Sequence, residues 1–417
     1  MRRLACIGLL GLMMGAACAA DYRAGPQNYR ELLRQLRAGD RLLLEPGNYV
    51  RGLPLRNLAG QPGRPIIIEA ADPDAPPRLL ARPGANTVSL VDVRHVTLRH
   101  LELDGRNVPV DAIKAEGHSR YADHVTLEHL YIHDHAASQQ SVGISTKCPA
   151  FGWVVRHTRI ERVGTGLYLG DSDGSDAFVA GLIEGNHISQ TLGYNLQIKH
   201  QRSRAVDHGG PHETVIRYNV FSKADAQPGP LARPNLLLGH GPLQGPGRED
   251  RYLVYGNVFL DNPSEALLQA EGRVAIYDNV FVNSSGDAIR IQPHNDVPRD
   301  MAIFANTVLA SGVGIAVRQP EGAPYRQRLL ANVVAAAVPI QGGEATHNVV
   351  QAYRPTWLEL PAPELIRRLL ADTGGATSLP DALVDELAAY PGWRRSARPG
   401  AILLPERLPS LNGSLPR

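Results

Sequence analysis

One phrase constrains the fold of this chain more than any other feature: alternating apolar residues, then Asn, then two more apolar residues. It reads Val215-Ile216-Arg217-Tyr218-Asn219-Val220-Phe221, Leu253-Val254-Tyr255-Gly256-Asn257-Val258-Phe259 and Ala275-Ile276-Tyr277-Asp278-Asn279-Val280-Phe281, with further copies around Asn186, Asn306 and Asn332 and a weaker one around Asn348. The spacings between successive Asn residues are 33, 38, 22, 27, 26 and 16, so a short unit repeats with variable insertions. Each copy predicts a strand, a bend at which Asn tolerates the left-handed conformation, and a second short strand. Stacked at about 4.8 Å, the Asn side chains of successive coils can bond to one another and satisfy buried amides along the whole axis. Unrelated turns in a β-sandwich would not repeat the flanking Val-Phe.

The same rhythm begins earlier with His or Thr at the bend, in Val96-Thr97-Leu98-Arg99-His100-Leu101, Val125-Thr126-Leu127-Glu128-His129-Leu130 and Val154-Val155-Arg156-His157-Thr158. About nine or ten coils are expected between residues near 60 and 350. A second pattern interleaves with the first: Asp111-Ala112-Ile113-Lys114, Val142-Gly143-Ile144-Ser145, Thr165-Gly166-Leu167-Tyr168, Tyr194-Asn195-Leu196-Gln197, Asp287-Ala288-Ile289-Arg290 and Val313-Gly314-Ile315-Ala316. The position after the aliphatic residue points outward and is chemically varied, which marks this face for a site.

The expected architecture is all-β: a single parallel β-helix over 56–350, an N-terminal cap and first strand over 21–55, and a C-terminal cap or tail over 351–417. Residues 28–37 have the helical spacing of a cap over the first coil, and 363–371 could form an amphipathic helix over the last one. Residues 1–20 read as a secretory signal, with Arg2 and Arg3 before an apolar run too short to span a membrane, and small residues at 17–20. The destination is the periplasm or the medium, with a lipoprotein anchor at Cys18 disfavoured because Gly15 stands where such signals carry Leu. Loss of Cys6 and Cys18 leaves Cys148 without a partner. Loss of Arg2 and Arg3 reduces 43 basic residues to 41, against 41 acidic ones, and a neutral chain without a basic stripe argues against nucleic acid as a partner.

The segment Ala38-Gly39-Asp40-Arg41-Leu42-Leu43-Leu44-Glu45-Pro46-Gly47-Asn48-Tyr49, followed by the Asn-Val-Phe coils, resembles the pectin-lyase-like superfamily of right-handed parallel β-helices. Its entry motif is similar to that of the alginate lyase and chondroitinase B group. The resemblance spans about residues 25–350 and implies a polysaccharide-active protein, since members include lyases, hydrolases, C5-epimerases and adhesins. Lyases of this group remove the C5 proton of a uronate, commonly with Lys as base, Arg as partner, and Ca²⁺ or polar side chains neutralising the carboxylate.

On the outward face the resemblance points to Lys199 as base, with Gln197, Tyr168 and His200 beside it and Arg290 or Arg318 as partner; Lys147 serves as the comparison lysine. The favoured function is β-elimination on an acidic polysaccharide. A second reading is a C5-epimerase, because Gln292-Pro293-His294-Asn295-Asp296 partly matches the segment that carries the epimerase base, which would make His294 catalytic. A non-catalytic carbohydrate-binding or structural solenoid is the third. Gly239-His240-Gly241 copies a hydrolase motif, but the carboxylate pair that hydrolysis needs does not precede it, so His240 and Gln292 are taken as substrate contacts. The metal is unknown: residues 171–176 have oxygen ligands at calcium-like spacing, and His133-Asp134-His135 could hold a transition metal with a further ligand from a neighbouring coil. Insertions between positions 201 and 213 and over 224–235 are expected to border a central cleft.

Overall fold

The computed structural model describes residues 19–226, 231–371 and 378–402. Most of the expected leader, with Cys6 and Cys18, lies outside the described residues. Three ladders of parallel strands wind around one apolar interior. The first face holds thirteen strands, from Asp21–Ala24 through Arg41–Leu44 and Ile66–Ala70 to Glu344–Thr346. After a tight corner the chain enters the second face, in strands such as Tyr131–His135, Val220–Ser222 and Val258–Leu260. It then enters the third, in strands such as Val142–Thr146, Thr165–Leu169, Leu196–Ile198 and Ile289–Ile291. Regular pairing starts earlier than the phrase suggested, because Asp21–Ala24 already pairs with Arg41–Leu44.

Alternation decides what lies inside. Val254, Ile276, Ile303 and Leu329 line the interior from the first face, Phe221, Phe259 and Phe281 from the second, and Ile144, Leu167, Leu196 and Ile289 from the third. Because equivalent residues stack at the strand spacing, Phe221, Phe259 and Phe281 form a column with ring centroids 5.1 and 4.6 Å apart.

The Asn residues form the expected ladder, but the left-handed residue is the one before each Asn. Gly185, Tyr218, Gly256, Asp278, Ala305, Ala331 and His347 have φ between 51 and 65°, as do His100, His129 and His157 near 50–55° in the earlier coils. Each Asn stays in ordinary backbone space and turns its amide inward. Asn219 Nδ2 donates to Asn257 Oδ1 at 2.9 Å and to Ile183 O at 2.9 Å, while its backbone N–H donates to the same Asn257 oxygen at 2.9 Å. This pattern repeats from Asn186 to Asn348, and Thr158 N–H joins it through Asn186 Oδ1. A non-Gly residue in the left-handed region costs about 1 kcal/mol or more, which the paired amides offset at every corner.

Helix α1, Tyr29–Leu33, covers the first coil: Tyr29 and Leu33 are buried and Tyr29 Oη donates to Gly52 O at 2.7 Å. Among the described residues, the C-terminal segment does not cover the last coil. Helix α2, Ala362–Ala371, lays Leu365 and Leu369 with Trp357 against Val220, Val258 and Val280 on the outside of the second face. The expected irregular tail contains a third helix, α3, Asp381–Leu387, whose Leu383 and Leu387 pack with Trp393 on Tyr255, Tyr277 and Phe304 outside the first face. The outward Val and aromatic columns of the middle coils leave those flanks apolar, and covering them outweighs covering the end.

Two histidines make the fold acid-sensitive. His135 and His187 are buried, His135 Nε2 and His187 Nδ1 have no partner, and burial pushes each pKa down to about 4. The unfolded chain, with His near 6.5, binds these protons first, so their contribution is complete above about 6.5 and is lost as pH falls towards 4. Each is worth about 3 kcal/mol by pH 4. Urea midpoints should fall steeply between pH 6.5 and 4, and His187→Gln should flatten that dependence; an unchanged slope in the variant would contradict the assignment.

Candidate functional site

The third face carries one continuous outward row. Cα register aligns Lys114 with Ser145, Ser145 with Tyr168, Tyr168 with Gln197, Gln197 with Leu237, Leu237 with Gln269, and Gln269 with Arg290. Two residues further along the strands runs a second outward row, containing Lys147, Gly170 and Lys199. The backbone bonds Lys147 N–H to Ala115 O and Lys199 N–H to Leu169 O, each 2.9 Å, keep these residues in step with the coils before them.

Lys147 and Lys199 therefore stand two coils apart with Gly170 between them, and both amines reach the ring of Tyr168. Lys147 Nζ lies 3.3 Å from the centre of that ring and Lys199 Nζ 5.9 Å from it. Gly170 is required twice over: its φ is 88°, and a Cβ would sit 3.3 Å from that of Lys199. The Tyr168 hydroxyl shares a hydrogen bond with Ser172 Oγ at 3.1 Å, and burial raises its pKa, so it stays protonated and able to donate.

The two amines are not ordinary lysines. Burial is the first cause of depression in both. For Lys147 the neighbouring charges of Lys114 and Lys199 add to it, Asp111 and Asp171 oppose it, and the pKa falls to about 8. For Lys199 the fall is opposed by Asp171 and Glu271. Asp111 is held beneath by Ser145 Oγ and the Val142 N–H, both at 2.9 Å, with Lys114 Nζ 3.8 Å from its carboxylate. The cluster thus offers an amine that is half neutral near pH 8, a protonated phenol, and two further cations, a set suited to moving a proton beside an anion.

The other sequence candidates lie elsewhere on the same ladder. Arg290 is three coils beyond Lys199, about 14 Å at the strand spacing, and its guanidinium is bound to Glu265 and Asp287 at 2.7 Å each. Arg318, four coils away, is exposed. Neither is brought beside Lys199, because no insertion bends the ladder between them. His294 is exposed, and its segment wraps Glu271: the N–H groups of His294, Asn295 and Asp296 donate to one carboxylate oxygen at 2.8, 2.8 and 3.0 Å. Gln292 is half-buried beside that turn. His200 and His240 do meet, with rings 5.6 Å apart at the groove margin. His240 Nδ1 lies 2.8 Å from Gly241 O and 3.6 Å from Asp296. Gln197 is buried in the row beside Tyr168. Lys147, taken from the sequence only as the comparison lysine, is brought beside Tyr168; it ends the outward pattern Ser145-Thr146-Lys147 one strand before Tyr168.

The insertions stand on opposite margins of the third face. The one over 224–235 precedes the third-face strand Leu236–Leu238, while residues 201–212 follow Leu196–Ile198. On the latter margin a cavity of about 330 Å³ opens beside the 171–176 loop, with Phe151 stacked on His208 at 4.1 Å.

The loop over 171–176 is closed by its own hydrogen bonds. Asp171 accepts from Asp176 N–H and Ser175 Oγ, and Asp173 accepts from Ser175 N–H, so both carboxylates are engaged in their own turn. Among the described residues, Asp104, His133 and Asp134 do converge, but on the second face, with Asp104 paired to Arg78 at 2.6 Å and Asp134 to Arg162 at 2.7 Å. His135 points into the core and cannot join them.

No family model and no curated protein matches the chain. Among solved structures it is similar to the family 6 alginate lyase AlyGC, at 13% identity and a TM-score of 0.53 over 81% of this chain and 52% of that one, so it spans about half the length of that enzyme. It is also similar to the family 6 polysaccharide lyase Pedsa3628 from Pseudopedobacter saltans, at 12% identity and a TM-score of 0.52 over 95% of this chain and 99% of that one. The ladders and these likenesses define a right-handed parallel β-helix.

Proposed function

We propose that the protein is an exported polysaccharide lyase that binds an acidic, uronate-containing chain along the third face and cleaves it by β-elimination, with Lys147 as base. The observation that carries this reading is the pair of depressed lysines bracketing Tyr168 on an outward, walled face. The folds of AlyGC and Pedsa3628, both named as lyases, support the reaction class, and the leader-like first residues support export.

Elimination next to a carboxylate needs that carboxylate neutralised, a base at C5 and an acid at the leaving oxygen. Lys199 and Lys114 supply positive charge for the carboxylate. Neutral Lys147 takes the C5 proton, the electron pair forms the C4–C5 double bond, and the C4–O4 bond breaks with the Tyr168 hydroxyl protonating O4. Lys147 then returns its proton to solvent and Tyr168 regains one.

The test is to follow the ultraviolet absorbance of the unsaturated sugar on alginate, pectate and chondroitin-type polymers, with the wild-type protein, Lys147→Ala and Arg318→Ala. The reading expects absorbance with at least one polymer, its loss in Lys147→Ala and its survival in Arg318→Ala. No absorbance on any of them, or full activity in Lys147→Ala, would overturn it.

A further inference from the structure

The two ends of the solenoid are finished differently. At the N-terminal end α1 buries Tyr29 and Leu33 over the first coil. At the other end the interior-facing positions remain open. Val350 aligns with the fully buried Val334 yet is 57% exposed; Ala345 aligns with the fully buried Leu329 and is exposed, as is Ala352 opposite Ala336. Glu344–Thr346 is the last strand of the first face, and Val349–Ala352 and the third-face residues Val338 to Gln341 likewise have no further strand beyond them among the described residues. An apolar cross-section rimmed by unpaired strand edges is a docking surface.

The described C-terminal residues run away from it. Past Ala352 the chain folds back along the flanks through α2 and α3. Gly400 N–H donates to Ala331 O, Ala401 N–H to Thr307 Oγ1 and Ile402 N–H to Asp278 Oδ1, three contacts on successively earlier coils. The described chain therefore reaches Ile402 three coils below the opening, having run towards the N-terminal end. Head-to-tail stacking on a second copy is closed off as well, because α1 occupies the opposite end.

The geometry points to a second copy of this chain as the occupant, docked tail to tail about a two-fold axis. Such an interface is self-complementary and closed, so it gives a dimer and no fibre. The rim suits it, since Arg326 and Glu344 lie side by side there as an ion pair and each copy presents both signs. Strand edges meeting across a two-fold axis run antiparallel, a pairing that needs no connecting segment. This inference is independent of the chemistry of the third face.

Light scattering on the full chain after removal of the leader tests it, alongside small-angle scattering and two variants. The wild type should have twice the chain mass and a maximum dimension near double that of one copy. Ala345→Lys with Val350→Lys should be monomeric at an unchanged melting temperature, since both side chains are exposed in the single chain. A chain ending at Ile402 should remain dimeric. A monomeric wild type would overturn the proposal, as would a dimer that survives the double substitution or one whose scattering shows side-by-side packing. A full chain that is monomeric while the truncated one dimerises would assign the opening to residues 403–417 instead.

Discussion

Replacing Lys147 with Ala should lower kcat for elimination by about 10²–10⁴-fold, the usual contribution of a positioned base, while KM changes little. The substitution removes a half-buried amine whose charge the fold disfavours, so the variant should melt no lower than wild type. Lys199→Ala should act differently, raising KM because it removes a cation that holds the substrate carboxylate. The pH profile separates these roles. Lys147 accepts a proton only when neutral and its pKa lies at about 8, so kcat/KM should rise about tenfold per pH unit below that value and level off above it. A profile flat from pH 6 to 9 would remove Lys147 from the mechanism. So would equal losses in the two variants with unchanged pH dependence.

The largest single loss of stability is expected from Asn257→Ala. Asn257 is fully buried in mid-ladder: its Oδ1 accepts Asn219 N–H and Nδ2, and its Nδ2 donates to Ile216 O and Asn279 Oδ1. Alanine would strand Asn219 and the Ile216 carbonyl in the interior, at about 1–3 kcal/mol for each unsatisfied group. A total near 3–5 kcal/mol follows, read as a lower urea midpoint. Asn348→Ala at the half-buried end of the ladder, with solvent near to replace what is lost, should cost about 1 kcal/mol. Equal effects at the two positions would mean that the ladder is not the element that ties the coils together.

The solenoid was legible because its physics is periodic. Alternation placed Ile144, Leu167, Leu196 and Ile289 inside one row, and the recurring Asn gave the corner. The conformation of that corner was not legible: Asn tolerates the left-handed region, yet here the preceding residue adopts it, leaving the Asn backbone N–H free to join the ladder. The docking of α2 and α3 on the flanks was also hidden, because outward apolar columns such as Val220, Val258 and Val280 read in sequence as ordinary strand residues. At the candidate site, the sequence singled out the third face and Lys199, and the structure sets Lys147 beside the same Tyr168 ring. Which lysine loses its solvent depends on how each packs on Tyr168, which cannot be weighed until the coils are in register. Arg290 and Arg318 share the ladder but were already too many coils away unless an insertion bent the path, and with about 4.8 Å per coil their separation from Lys199 is fixed by coil number.

The most direct measurement is proton NMR of uronate polymers incubated with the protein in D₂O, because it reports on C5 itself. The account predicts the vinyl signal of an unsaturated sugar with wild type and its absence with Lys147→Ala. Deuterium entering C5 without a vinyl signal would mean that the proton is removed but the chain is kept, the outcome of an epimerase. An intact C5–H in every polymer, or a vinyl signal undiminished in Lys147→Ala, would contradict the proposal that Lys147 removes this proton.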